Sequence, residues 1–378
     1  ILEKGLVAAK IFVDNTKAYD MVMRNILWLI LTKRGVPENI INLIKSMIVG
    51  SMAYVRCEGE VSETPFELKM GLKQGAILSC FLFNVFMGAI LEEIRNRLLE
   101  DQPEDSFPKV KFNFDCNPLQ RSCRSRTGGG VEYNIDILFA DDSIFYVIID
   151  NYENANIRVQ RTVEIINDVM KAFGQKVNAP KTEIMVISRN KDVVARFEDN
   201  LKLVKLEGQN IKLTNMFKYV GSRVTSACEN IQEIKIRRGM MESSFKQHME
   251  NMFVKNRLDV VYMITMFKVF IVSIGCYNCS GWSSSTKDLM LLNSTARSIL
   301  MRIFGFKWFY HVSYDYLLKL CKLMGCNMYP MHLIVKMQRL SFFGHIVRMD
   351  DSSLLKKLLI GEIEGGQRSK VDRYRLGL

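Results

Sequence analysis

Ile137-Leu138-Phe139-Ala140-Asp141-Asp142-Ser143-Ile144-Phe145-Tyr146-Val147 sets two adjacent acids between two apolar runs. Residues 137–139 and 144–147 read as strands, which puts Asp141 and Asp142 at the turn of a hairpin. Two carboxylates at a hairpin tip repel each other, a costly arrangement unless something positive is bound there. A third acid has a similar setting: residues 10–13 form a short apolar strand that ends in Asp14. Carboxylates at strand ends are suitable ligands for hard divalent cations, which take oxygen donors. A pair of such ions can stabilise both the attacking and the leaving oxygen of an in-line phosphoryl transfer. Each acid alone also has a plainer reading, with Asp142 filling a turn and Asp14 closing a loop, because Asp favours both places.

Outward from these acids the chain alternates strands and helices. A helix is expected over residues 21–33, with Asp20 as its N-cap and Gly35 as its stop, and a second from Pro37 to about residue 49. Short strands follow at 52–57 and 66–70, then a long helix over about 78–99. Residues 101–130 carry Pro103, Pro108, Pro118 and the run Gly128-Gly129-Gly130, and read as an irregular insertion. A helix at 151–173 and strands at 183–188 and 217–220 complete this part. After Gly221 the pattern is helical and basic with one proline, Pro330, which places a domain boundary near Ser222.

Lysine and arginine exceed the acids by 52 to 40 in 378 residues, a net charge of +12. That surplus suits a polyanionic partner such as nucleic acid, and equally a merely soluble basic protein. The cysteine count is odd, at nine, with no repeating spacing, so reduced thiols in the nucleus or cytoplasm are expected rather than a secreted disulfide framework. The most membrane-like stretch, 262–282, is interrupted by Lys268 and reads as a buried helix, so no membrane partner is expected.

The order of five segments goes further than any single acid. Ile11-Phe12-Val13-Asp14-Asn15-Thr16-Lys17-Ala18-Tyr19-Asp20 resembles the first palm motif of reverse transcriptases. Gly71-Leu72-Lys73-Gln74-Gly75, followed by Ser79, Leu82, Phe83 and Asn84, resembles the second, and Leu138-Phe139-Ala140-Asp141-Asp142 the third. Gly174, Val177-Asn178 and Lys181-Thr182-Glu183 resemble the fourth, and Phe217-Lys218-Tyr219-Val220-Gly221 the fifth, which grips the primer. Near the end, Gly344-His345-Ile346-Val347-Arg348 is similar to the Gly-His-x-x-Arg segment of non-LTR (LINE-type) retrotransposon polymerases; Lys356-Lys357 and Gly365-Gly366-Gln367-Arg368 match their basic tail more loosely.

The resemblance implies an α+β right-hand polymerase: a palm of antiparallel sheet backed by helices over 1–222, a helical thumb over 223–310 and a basic C-terminal region over 311–378. It implies RNA-directed DNA synthesis from a primer 3′-hydroxyl, with an RNA template, a DNA primer or target and dNTPs as partners. Asp14 and Asp141, assisted by Asp142, correspond to the ligands of two Mg²⁺ or Mn²⁺ ions. Tyr19 corresponds to the aromatic gate under the sugar, which leaves no room for a 2′-hydroxyl. Gly71 and Gly75 correspond to positions where the backbone approaches template and incoming base, and Gln74 to a template contact. Lys181 corresponds to the general acid that protonates the pyrophosphate leaving group. Only about ten residues precede the first motif, so the family's fingers are expected to lie outside the chain, as is any endonuclease domain.

Other features have competing readings. Tyr19 could be a core aromatic, the glycine pair a plain turn, and Lys181 a solvated loop lysine. Cys276-x-x-Cys279, with His311, Cys321, Cys326 or His332, suggests zinc, but lies in an apolar stretch that favours buried thiols. His345 reads as packed in its helix. Lys235, Arg237, Arg238, Lys246, Lys255 and Arg257 could line a template-primer channel or a solvated helix face, since Glu233, Glu242, Glu250 and Asp259 are interspersed. Cys80 stands where the family has a proline. The alternatives are a truncated or decayed copy that binds nucleic acid without catalysis, an RNA-templated RNA polymerase, which Tyr19 disfavours, and an intron maturase, which Gly344-His345 disfavours.

Overall fold

The structure, a computed structural model, describes residues 4–101, 109–110, 133–134, 137–139, 142–149, 151–250 and 259–360. Their contacts divide them into two compact units, with the change from one to the other between Asn215 and Met216. The expected insertion at 101–130 lies almost wholly outside the described residues, as does the basic tail from Gly361 onward.

The first unit is built on a five-stranded sheet. Ala8–Val13 is flanked by Asp142–Ile148 and Glu183–Ile187, both antiparallel; Ile137–Phe139 adds to the former and Lys212–Leu213 to the latter. The Lys212–Leu213 pairing is parallel, so the expected antiparallel sheet carries one parallel edge. Alternate residues Ala9, Ile11, Val13, Phe145, Val147, Ile184 and Val186 enter one apolar core with residues of the helices Arg24–Lys33, Ile77–Asp101 and Tyr152–Ala172. This is the α+β, helix-backed sheet expected from the sequence.

Ile77–Asp101 is the one helix among the described residues that is long and apolar enough to cross a membrane; the 262–282 stretch is not. Leu82, Phe83, Phe86, Met87, Ile90, Ile94 and Leu98, at helical spacing, are buried in the core. The helices at 38–48 and 152–172 fall where expected, the latter capped by the Asn151 side chain accepting from Glu153 N.

The first helix differs from expectation. It starts at Arg24 behind Met23, and Asp20 does not cap it. The Asp20 and Met21 N–H groups both donate to Lys17 O instead, which closes a tight turn at 17–21. The expected strand at 52–57 breaks into two short pieces with different partners, Met52–Ala53 on Phe66–Glu67 and Arg56–Cys57 on Glu60–Val61. The Lys191–Leu201 helix was not read from the sequence, although Asn190 caps it.

Among its described residues the second unit has one hairpin, Met216–Tyr219 with Ser222–Thr225, and its other elements are helices. One core joins residues from Ile234 to Val335, including Phe245, Phe267, Leu292, Ile299 and Leu317. The 262–282 stretch contributes Met263, Ile264, Phe267, Ile271, Cys276, Cys279 and Trp282 to that core, so it is used for packing.

Candidate active site

Register decides where the acids stand. Val13 pairs with Ser143, so the next residues outward, Asp14 and Asp142, lie side by side at one end of the sheet. Asp142 is the first residue of its strand, and its pairing with Phe139 closes the hairpin at whose tip the sequence placed it. Asp141 lies outside the described residues.

A second segment is stitched to the exit of the Asp14 strand. Thr16 N donates to Lys176 O at 2.9 Å, Asn178 N donates to Asp14 O at 2.8 Å, and Asn15 bridges to Val177. Pro180 then shapes a single 3₁₀ turn, Ala179–Lys181. The result sets Lys181 Nζ 3.7 Å from Asp14 Oδ2, with the lysine side chain 68% exposed and that of Asp14 26% exposed. Lys181 is therefore held in a braced turn rather than a loose loop, although its head reaches solvent.

Asp14 and Asp142 present carboxylate oxygens, hard donors that suit Mg²⁺ or Mn²⁺ better than softer metals. Among the described residues, no group of three or more His, Cys, Asp or Glu side chains is assembled for a metal ion.

The Gly71 loop is fixed against the Tyr19–Arg24 turn by main-chain and side-chain bonds. Leu72 N donates to Tyr19 O and Gly71 N to Val22 O, each at 2.9 Å. Arg24 spreads its guanidinium over three carbonyls: Leu68 O at 2.7 Å, Gly71 O at 2.9 Å and Met70 O at 3.4 Å. Burial lowers the Arg24 pKa, and the Glu67 carboxylate opposes that shift. Gly71 has φ +81°, and a Cβ there would stand 2.6 Å from Asp20 O. Gly75 has φ +84° and open space around it. Gln74 is exposed, its Nε2 3.5 Å from Asp20 Oδ1. A cavity of about 920 Å³ lies along the loop, lined by Arg24, Met52, Lys69, Gly71, Gln74 and Ser79 among others.

The Tyr19 ring stacks on buried Phe83 with centroids 4.1 Å apart and planes 14° apart. It packs against the core without entering it, since Tyr19 itself is only half-buried. The structure thus brings Tyr19, Gly71, Gln74 and Gly75 into one braced segment, and Asp14, Asp142 and Lys181 into another. Arg24 carries the bracing, yet no local pattern separates it from any basic residue at the start of a helix.

In the second unit, the fifth segment turns through Val220 at φ +45° and Gly221 at φ +77°, a backbone that matches the twist of a two-residue hairpin. Behind it lies a buried ion pair, with side chains 6% and 2% exposed: Arg237 Nε donates to Glu233 Oε1 at 2.6 Å. Glu233 Oε2 accepts from Arg223 N, Arg237 also donates to Gly221 O, and its guanidinium lies 4.5 Å from the centroid of the Tyr277 ring. Tyr277 OH in turn donates to Val220 O at 3.0 Å. This overturns Arg237 as a channel residue: it is committed to the hairpin. The i,i+4 spacing of Glu233 and Arg237 was the available signal. Lys235, Arg238 and Lys246 are exposed, and Lys255 and Arg257 lie outside the described residues.

Cys276 and Cys279 are buried in the second core, at 4% and 0% exposure. The hydrogen bond between them, then burial, pushes the Cys276 thiol up, and burial raises Cys321 to about 11. Both thiols of the pair are packed in the core, as their apolar setting suggested, and the bond to Cys276 lowers the Cys279 pKa. His345, expected to be packed, is exposed on its helix.

The family model for reverse transcriptase (RNA-dependent DNA polymerase) matches residues 3–224, more than half of the chain. Among solved structures the chain is similar to a telomerase from Candida albicans in complex with a TWJ fragment of telomeric RNA, at 13% identity and TM-score 0.39, covering 82% of this chain and 49% of that one. It is similar also to an apo telomerase from Candida tropicalis, at 14% identity and TM-score 0.37, over 95% of this chain and 53% of that one. A C-terminally truncated telomerase of the same species gives 17% identity and TM-score 0.37, over 59% and 35%. The chain thus spans between 35% and 53% of the length of these telomerase chains.

Proposed function

The chain belongs to the reverse transcriptase (RNA-dependent DNA polymerase) family, and on that premise we propose that it copies an RNA template into DNA from a primer 3′-hydroxyl, as the polymerase part of a non-LTR, LINE-type retrotransposon. The observation that carries the chemistry is the adjacency of Asp14 and Asp142 at the ends of neighbouring strands, with Lys181 Nζ 3.7 Å from Asp14 Oδ2. Asp14 and Asp142, together with Asp141, would hold two Mg²⁺ or Mn²⁺ ions. Such ions, when bound, neutralise phosphate charge and lower the barrier to in-line transfer.

The chain's own side chains do the rest. Lys181 holds a proton for the leaving pyrophosphate oxygen. Tyr19, backed by Phe83, offers a flat wall to the sugar and leaves no space for a 2′-hydroxyl. The braced Gly71–Gly75 loop and the cavity beside it receive the template strand, and the hairpin around Val220-Gly221 supports the primer. The Gly344-His345-Ile346-Val347-Arg348 segment, on the Met331–Val347 helix and its C-cap, supports the retrotransposon assignment. The substrates are RNA, DNA and dNTPs inside the nucleus or cytoplasm.

The test is primer extension on an RNA template in Mg²⁺. Extension by the polymerase that contains this chain, abolished by Asp14→Asn with an unchanged circular dichroism spectrum, is the expected result. Salt-dependent primer-template binding with no extension would instead favour a fold retained without catalysis.

A further inference from the structure

Trp308, Phe309 and Tyr310 are three consecutive aromatic residues exposed to 80%, 50% and 60%. Large apolar side chains clustered on a surface mark a contact, because single ones are ordinary and a run of three is not. Of the other two tryptophans, Trp282 is buried at 4% and Trp28 packs against the first core, so Trp308 alone stands out into solvent.

The run is rigid. Phe306 N donates to Met301 O at 2.8 Å and Tyr310 N to Lys307 O at 3.1 Å, closing a 3₁₀ turn over Trp308–Tyr310. His311 follows in the left-handed region, at φ +48°, a conformation that a non-glycine residue keeps only when its surroundings enforce it. Here Arg297 Nε donates to Val312 O at 2.6 Å, and Ser313 Oγ accepts from Tyr316 N to start the Tyr314–Leu323 helix. The rings also steady one another: Trp308 meets Phe309 edge-on at 5.9 Å, and Phe309 meets Tyr310 at 4.8 Å. Holding the rings before contact reduces the entropy lost on binding.

Charge selects the occupant. Lys307 Nζ lies 5.8 Å from the Phe309 ring, and Lys307 and Arg302 are exposed, while Arg297 is committed to Val312 O. Flat, exposed rings on a basic stretch suit unpaired bases, whose faces stack on aromatic rings while the phosphates meet cations. We propose that Trp308–Tyr310, in the second unit, is a stacking platform for the bases of single-stranded nucleic acid. It rests on the reading of the chain as a nucleic-acid enzyme.

The test uses the full chain and fluorescence anisotropy with labelled single-stranded DNA and RNA of about 16 nucleotides, the upper end of typical site sizes, beside a blunt duplex. Trp308→Ala should weaken single-strand binding about fivefold or more, the lower end of stacking per base, and leave duplex binding nearly unchanged. Trp308→Phe should restore most of the loss. The loss should persist when salt is raised, because stacking releases no counterions, whereas Lys307→Ala should reduce the salt slope by about one. Equal unfolding midpoints exclude a folding defect.

Unchanged single-strand affinity in Trp308→Ala, or equal loss on duplex, would overturn the platform. So would a change in sedimentation of the free chain on Trp308→Ala, which would mean that the rings cover a second copy. If these appear while primer extension is intact, the platform alone fails. If the unaltered chain binds no nucleic acid at low salt, the polymerase reading fails with it.

Discussion

Lys181 Nζ stands 3.7 Å from Asp14 Oδ2, across a turn that Asn178 N pins to the Asp14 carbonyl. The pair is partly exposed, so its contribution to stability is small, about 0–1 kcal/mol. Its consequence is chemical: the ammonium is a counter-charge at the carboxylate a metal ion would use. Lys181→Met should leave the unfolding midpoint nearly unchanged and lower the half-saturating Mg²⁺ concentration slightly. At saturating Mg²⁺ it should reduce kcat by about 10²-fold or more, the range for a lost general acid. An unchanged kcat would reduce Lys181 to a surface lysine.

Tyr19 and Phe83 stack at 4.1 Å, so two effects of substitution must be separated. Tyr19→Phe keeps the stack and should keep both stability and sugar selectivity. Tyr19→Val removes the ring, at a cost of about 0.5–1.5 kcal/mol for the aromatic pair beyond the area lost. It should also raise the ratio of ribonucleotide to deoxynucleotide incorporation, read as kcat/KM for each. Lost stability with an unmoved ratio would make the ring core only.

Gly71 and Gly75 share a left-handed backbone and differ in their surroundings. Gly71→Ala forces a Cβ to within 2.6 Å of Asp20 O, which no side-chain rotation relieves. It should destabilise by more than the roughly 1–3 kcal/mol of backbone strain. Gly75→Asn meets open space, and Asn tolerates this conformation. It should fold normally and still weaken extension if template approaches the loop. Full activity in a stable Gly75→Asn would assign that glycine to the turn alone.

Arg237 and Glu233 are buried behind the hairpin, at 6% and 2% side-chain exposure. Arg237→Met strands the Glu233 carboxylate and should cost about 3–5 kcal/mol, as for other broken buried pairs. Adding Glu233→Gln should recover part of that cost, because no uncompensated charge is then left. Denaturant unfolding of the two single variants and the double variant measures the coupling. Additive costs would show that the two groups do not act as a pair.

His332 supplies a pH dependence. Burial first, then nearby Lys336, lowers its pKa from the usual 6.5, and Nδ1 lies 2.8 Å from Asn293 Nδ2. The unfolded chain binds this proton more readily, so the stabilisation is present above pH 6.5 and is lost as pH falls towards the lowered value. The unfolding midpoint should drop more steeply on acidification in the unaltered protein than in His332→Gln. Parallel profiles would remove His332 from the account.

The sequence by itself determined most of the elements and the family. Short continuous apolar runs gave the central strands, and the 3.6-residue spacing of Leu82, Phe83, Phe86, Ile90 and Ile94 fits the long core helix. The ordering of five short segments, which no composition reveals, pointed to the family. These signals are local, set by backbone sterics and the period of burial, so they survive in one dimension.

Tertiary structure decided everything that depends on two distant segments meeting. Asp20 looked like a cap because Asp favours helix starts, but the bonds of the Gly71 loop to Tyr19 and Val22 accompany a helix that begins only at Arg24. Arg24 looked like any basic residue until three carbonyls from residues 68–71 converged on it. Arg237 looked like a solvated cation, yet burial beside Glu233 satisfies both charges and fixes the hairpin turn. In the first two cases the deciding energy is a hydrogen bond between residues distant in the chain, and in the third it is a pair four residues apart whose burial behind the hairpin only packing decides. Its strength comes from removing water, and no local pattern records which charges lose their water on folding.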